Sequence, residues 1–151
     1  MDQRYVDLQN QINALTASNA NALQKQRTSA YDEMYAVLKQ YGIDTDGTGL
    51  AATIKGWAQD DKSTSWMQVE IRNTDAYKKR FTGMADLIKQ GHAISEAQYI
   101  QQEIQYTNVM RQWDLPKGFY DDPTDFGRFI ANGVSVNELN DRITGAKSFL
   151  D

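Results

Sequence analysis

Few residues in this chain have the type and spacing to do chemistry. His92 is the one histidine among 151 residues, and there is no cysteine. Thiolate metal sites, disulfides and cysteine nucleophiles are therefore excluded, as is any site that needs two imidazoles. His92 follows Gly91 in a loop and could act as a general base, but no G-x-S-x-G nucleophile elbow accompanies it. Glu96 and Glu103 lie seven apart, an ordinary helical spacing that does not define a glycosidase pair. Asp121, Asp122 and Asp125 cluster, with Asp122 read as a helix cap and the other two as solvated carboxylates. Asp44-Thr45-Asp46-Gly47 opens like a calcium loop. With Gly47 at the glycine position, however, Gly42 and Thr53 fall where an EF-hand needs carboxylates, so the stretch reads as a polar turn. Lys78, Lys79 and Arg80, flanked by Tyr77 and Phe81, could contact phosphates with aromatic support. Three successive basic residues on a helix point in different directions, and a solvated face is the simpler reading. No catalytic residue, metal or cofactor is assigned, and no enzyme activity is expected.

The elements that hold these residues read as helices throughout. Residues 2–42 contain no proline and no glycine before Gly42. Tyr5, Leu8, Ile12 and Leu15, with Asn19 and Ala22 continuing the three-and-four spacing, form a narrow coiled-coil-like seam. Leu23 is the one large aliphatic residue between Thr16 and Ser29, and the stripe resumes on a shifted phase at Met34, Leu38 and Tyr41. The segment is either one helix of about 40 residues, roughly 60 Å long, or two helices with a polar joint near Ser18-Asn19. Gly42 is a natural stop.

Beyond it come Leu50, Ile54 and Trp57 on one short helix, and an expected capping box at Ser65 and Gln68. Residues 66–73 are ambiguous between a strand (Met67, Val69, Ile71) and a helix (Trp66, Val69, Asn73). With no second strand to pair, they are assigned to a helix. Tyr77 and Phe81 share a face, and Met84, Leu87 and Ile88 mark a short helix ended by Gly91. Ser95 with Gln98 starts a helix to about Trp113, Asp122-Pro123 starts the next, and Ser135 with Glu138 starts the last. That last helix carries Val136, Leu139, Ile143, Ala146 and Leu150. The expectation is an all-α protein: a long N-terminal helix or helical arm, residues 1–42, then a compact multi-helix domain, residues 43–151. The expected core is Trp57, Tyr77, Phe81, Tyr99, Ile100, Ile104, Met110, Phe126, Phe129, Leu139 and Ile143.

The net charge is −4. Arg72 to Lys89 is the only basic block, short of the excess a nucleic-acid domain usually shows. No apolar run is long enough for a membrane helix. The start, Met1-Asp2-Gln3-Arg4, has no signal-peptide stretch, so synthesis in the cytoplasm is expected.

Four segments in order carry a resemblance: Ile71-Arg72-Asn73-Thr74-Asp75-Ala76-Tyr77-Lys78-Lys79-Arg80-Phe81; Ala93-Ile94-Ser95-Glu96-Ala97-Gln98-Tyr99-Ile100; Leu115-Pro116-Lys117-Gly118-Phe119-Tyr120-Asp121-Asp122-Pro123; and Val134-Ser135-Val136-Asn137-Glu138-Leu139. Together they resemble a family of structural proteins of tailed bacteriophages, labelled minor tail or virion structural proteins, over roughly residues 20–145. The resemblance implies a non-enzymatic virion component, in the tail or internal and connector-associated, and located in the particle. Its partners would be other virion structural proteins, or a second copy through the N-terminal helix. The docking residues are expected from the seam of the N-terminal helix rather than from the resemblance: Tyr5, Leu8, Ile12, Leu15, Asn19 and Leu23. The alternative is a helical regulatory or nucleic-acid-binding protein that uses the Lys78-Lys79-Arg80 block.

Overall fold

A computed structural model describes residues 2–117 and 122–150, with side-chain environments given through residue 147. Among them are eight α-helices and no strand. They are α1 (Gln3–Gln40), α2 (Leu50–Gln59), α3 (Thr64–Ile71), α4 (Asp75–Arg80), α5 (Met84–Lys89), α6 (Glu96–Gln112), α7 (Pro123–Ala131) and α8 (Val136–Leu150). The protein is all-α with a long N-terminal helix. That helix is continuous, so the polar stretch around Ser18-Asn19 is no joint. Alanine, glutamine and leucine are good helix formers and carry α1 across it.

Two compact units divide the chain: Met1–Lys39 with Asp44–Glu70, and Gln40–Ile43 with Ile71–Asp151. This division differs from one at residues 42 and 43, because α2 and most of α3 group with α1. In the first unit Leu50, Ile54 and Ala58 form the buried face of α2, spaced by four, and Met67 is fully buried on α3. Trp57 is half-buried rather than central, and its ring meets Trp66 edge-on at 5.3 Å between centroids. Residues 64–71 are helical, but the face expected from Trp66 and Val69 is turned outward and Met67 and Ile71 are the buried pair. The cap also differs from the expected Ser65–Gln68 box: Ser63 Oγ accepts from the Trp66 N–H at 3.1 Å, one residue before the helix. A hydroxyl placed just outside the first turn can reach an amide that has no partner within the helix, and Ser63 holds that place.

In the second unit α6 packs on α7 and α8, and α7 also receives α4 and α5. Tyr77, Phe81, Tyr99, Met110, Phe126 and Leu139 are buried as expected. Ile104 is not: it is 47% exposed, while Ile100, Phe129 and Ile143 are half-buried. The face of α6 that turns inward is narrower than its apolar content suggests. Where α5 starts, the chain backbones touch. A Cβ on Gly83 would strike the Gly127 carbonyl, and one on Gly127 would strike the Thr82 hydroxyl. Only glycine at both positions lets α5 and α7 approach this closely.

The caps at Ser95 and Asp122 form as expected. Ser95 and Gln98 make a reciprocal box, as do Asp122 and Asp125 on either side of Pro123. Ser135 Oγ accepts from the Glu138 N–H, while the Glu138 carboxylate accepts from Arg142. α6 ends without glycine: Asp114 takes a φ of 58° and the Leu115 N–H reaches back to the Met110 carbonyl. This is the closure that glycine usually provides, made here by a residue whose short polar side chain tolerates it. Gly118, Phe119, Tyr120 and Asp121 of the resemblance segments, and the Leu150 side chain of the α8 stripe, lie outside the described residues and side chains.

Candidate functional site

The N-terminal arm is the first candidate. α1 starts just after Asp2, whose carboxylate accepts from the Arg4 N–H at 3.1 Å. From there to Gln26 every side chain except half-buried Val6 is exposed. Tyr5 is 60% exposed, Leu8 56%, Ile12 47%, Leu15 63% and Leu23 37%. Asn19 is exposed on the same stripe. At 100° per residue, these six positions fall within less than a quarter of the helix circumference. Large aliphatic residues and a tyrosine on one narrow stripe in water are a contiguous apolar surface of the kind that marks an interaction site.

Packing begins at Arg27. Its guanidinium makes a two-pronged ion pair with Asp61, at 2.8 and 3.0 Å. The hydrogen bond from Arg27 holds the Asp61 carboxyl below its ordinary range. Met34 and Leu38, one turn apart, are fully buried. Only the C-terminal third of α1 is part of a core.

The basic block is the second candidate. Lys78 and Lys79 are exposed, but Arg80 turns inward and its side chain is 17% exposed. Its two terminal nitrogens donate to both Glu103 oxygens, at 2.8 and 2.7 Å, and its Nε donates to the Tyr41 carbonyl at 2.6 Å. All three directions of the planar fork are filled, so Arg80 is a structural tie rather than a free phosphate contact.

A second carboxylate on α6 is tied in the same way. Glu96 accepts from Arg72 Nε at 2.8 Å and from the buried Tyr77 hydroxyl at 2.8 Å. Both glutamates are buried, whereas their types and spacing alone suggest an ordinary helix surface. A signal for their burial is present in the sequence: Glu96, Tyr99, Glu103, Tyr106 and Met110 follow the three-and-four spacing of one inward stripe. Among the described residues no buried side-chain nitrogen or oxygen lacks a hydrogen-bond partner.

Burial by itself pushes the Glu96 carboxyl up. The hydrogen bonds from Arg72, from Tyr77 and from its own backbone outweigh that and hold it below the usual carboxylate range. Burial, then the neighbouring Glu96, pushes the Tyr77 phenol well up, so it remains a donor. Glu96 therefore binds a proton less readily in the folded chain than in the unfolded one. Its contribution is complete above the unfolded value and is lost as the pH falls through the folded value. Urea midpoints measured from neutral pH down to about pH 3, below the ordinary glutamate range, should fall with acidification. Glu96→Gln should flatten that fall; an unchanged slope would remove Glu96 from the cause.

His92 is exposed after Gly91. Asp44 Oδ1 accepts from the Gly47 N–H at 3.0 Å, the closure of a polar turn. Asp122 and Asp125 serve the α7 cap, and Asp121 lies outside the described residues. No helix among the described residues is long and apolar enough to cross a membrane.

No protein-family model, curated protein or solved structure matches this chain.

Proposed function

We propose that this chain is a non-enzymatic structural component of a tailed-phage virion, carried in the particle and docked on other virion proteins through helical contacts. The observation that carries the docking half is the apolar stripe of Tyr5, Leu8, Ile12 and Leu15, exposed on a continuous helix. An amphipathic helix of this kind gains stability by laying its stripe into a groove or against another helix. The particle half rests on the four ordered segments between Ile71 and Leu139. The nucleic-acid reading has less behind it, since Lys78 and Lys79 are the exposed members of the block and Arg80 is already bonded on three sides.

The test is mass spectrometry of purified particles, paired with deletion of residues 1–22. The deletion leaves Arg27–Asp61, Met34 and Leu38 in place, so the melting transition should be nearly unchanged while incorporation is lost. Normal incorporation of the shortened chain would remove the arm from the docking role. Absence of the intact chain from particles, with salt-dependent DNA binding in its place, would favour the regulatory reading, because phosphate contacts release counterions.

A further inference from the structure

The second unit carries an open groove of about 670 Å³ between α4, α5 and the start of α6. Phe81, Met84, Ala85, Ile88, Ala93 and Ile94 provide its apolar lining. Ile88 is 60% exposed at its lip. Arg72, Lys78 and Lys89 also line it, with Glu96 as the one carboxylate. Glu96 is already paired with Arg72, so the two lysines remain as spare positive charge. Asp75 and Asp86, on the same two short helices, do not line the groove. The chain thus exposes an apolar stripe on a helix and, separately, a cationic apolar groove of a size that takes such a stripe.

We infer that the N-terminal arm of one copy docks in this groove of a second copy. Leu8, Ile12 and Leu15 stand at i, i+4 and i+7, the anchor spacing of helix-in-groove recognition. Residues 2–24 carry Asp2 and Asp7 against Arg4, a weak negative excess that complements Lys78 and Lys89. A symmetric pairing of two arms is the competing arrangement. Its large seam residues run unbroken only to Leu15, over two heptads, and Asn19 and Ala22 interrupt the seam before Leu23. So short a seam leaves few core layers for a free-standing coiled coil, whereas a groove needs only two or three anchors. An arm-to-groove contact joins unlike surfaces: each copy has one of each, so two copies can exchange arms, or repetition closes a larger ring or extends a helical array. The inference deepens the docking reading above and rests on it for the role of the arm.

Sedimentation of the full-length protein across a range of concentrations tests it. The unaltered chain should self-associate, as a reciprocal dimer, a larger ring or an open array. Ile88→Glu and, separately, the double variant Leu8→Glu/Ile12→Glu should each weaken association about tenfold or more, the loss of one buried apolar side chain or greater. Both sets of positions are exposed, and melting curves should show each variant folded. Mixed together, the two variants should form a one-to-one pair that grows no further, because one still has a working arm and the other a working groove. Reversing Lys78 and Lys89 to glutamate should weaken association, and Asp7→Lys should partly restore it. A chain that stays monomeric, association untouched by Ile88→Glu, or a mixture that fails to pair would each overturn the inference. A chain present in particles yet monomeric in solution would overturn it while leaving the virion reading standing.

Discussion

Glu103→Ala should destabilise the protein by about 3 kcal/mol, the low end of what breaking a buried ion pair costs. The low end applies because the Arg80 side chain keeps 17% of its exposure and can recruit some water. Removing the carboxylate strands the two guanidinium nitrogens that bond it, while the bond to the Tyr41 carbonyl survives. Chemical denaturation at neutral pH measures the loss. The companion Arg80→Met/Glu103→Leu removes both charges and fills the space, and should recover much of the stability, since most of the cost lies in the unpaired charge; the Tyr41 carbonyl, which loses its donor, keeps the recovery incomplete. A single variant within about 0.5 kcal/mol of the starting protein would place this pair with ordinary surface contacts.

Tyr106→Ala should cost as much or more, about 3–5 kcal/mol. Tyr106 is 1% exposed, and its ring stacks on Phe126 at 5.9 Å and meets Phe129 edge-on at 5.6 Å. It therefore holds α6 against α7. Burial pushes its phenol up to about 12, so the hydroxyl stays protonated and donates to the Val134 carbonyl just before α8. Tyr106→Phe isolates that bond and should cost about 1 kcal/mol, with the ring contacts intact. If the alanine and phenylalanine variants lose the same amount, the aromatic packing contributes nothing and the hydroxyl carries the whole effect.

Much of this fold was legible because its signals are local. Ser95–Gln98 and Asp122-Pro123 announce helix starts through chemistry contained within four residues, and both caps form as expected. The stripe of Tyr5, Leu8, Ile12 and Leu15 is a periodicity, and it lies on one face as periodicity requires. What escaped was decided by partners distant in sequence. Ile104 looks like a core residue by type, yet the inward stripe of α6 includes Glu96 and Glu103, and the helix rotates to suit them. The carboxylates are acceptable there only because Arg72 and Arg80, more than twenty residues upstream, arrive to neutralise them. A run of Lys78-Lys79-Arg80 likewise looks uniform until the backbone assigns Arg80 to the interior. The docking stripe was readable as a stripe, whereas the groove between α4, α5 and α6 exists only once those three helices are placed.

The chain enters the second unit at Gln40, leaves it after Ile43, and returns for good at Ile71. Those four residues are a stitch, and the bond from Arg80 to the Tyr41 carbonyl is the knot that holds it. Tension on the arm travels down α1 and reaches this stitch along the covalent chain. It then meets the Arg80 fork and, through it, Glu103 on α6. Load passed along this stretch of chain would therefore meet a charged clasp as well as apolar packing, and the bond that clasps it is the one that outlasts loss of the Glu103 carboxylate.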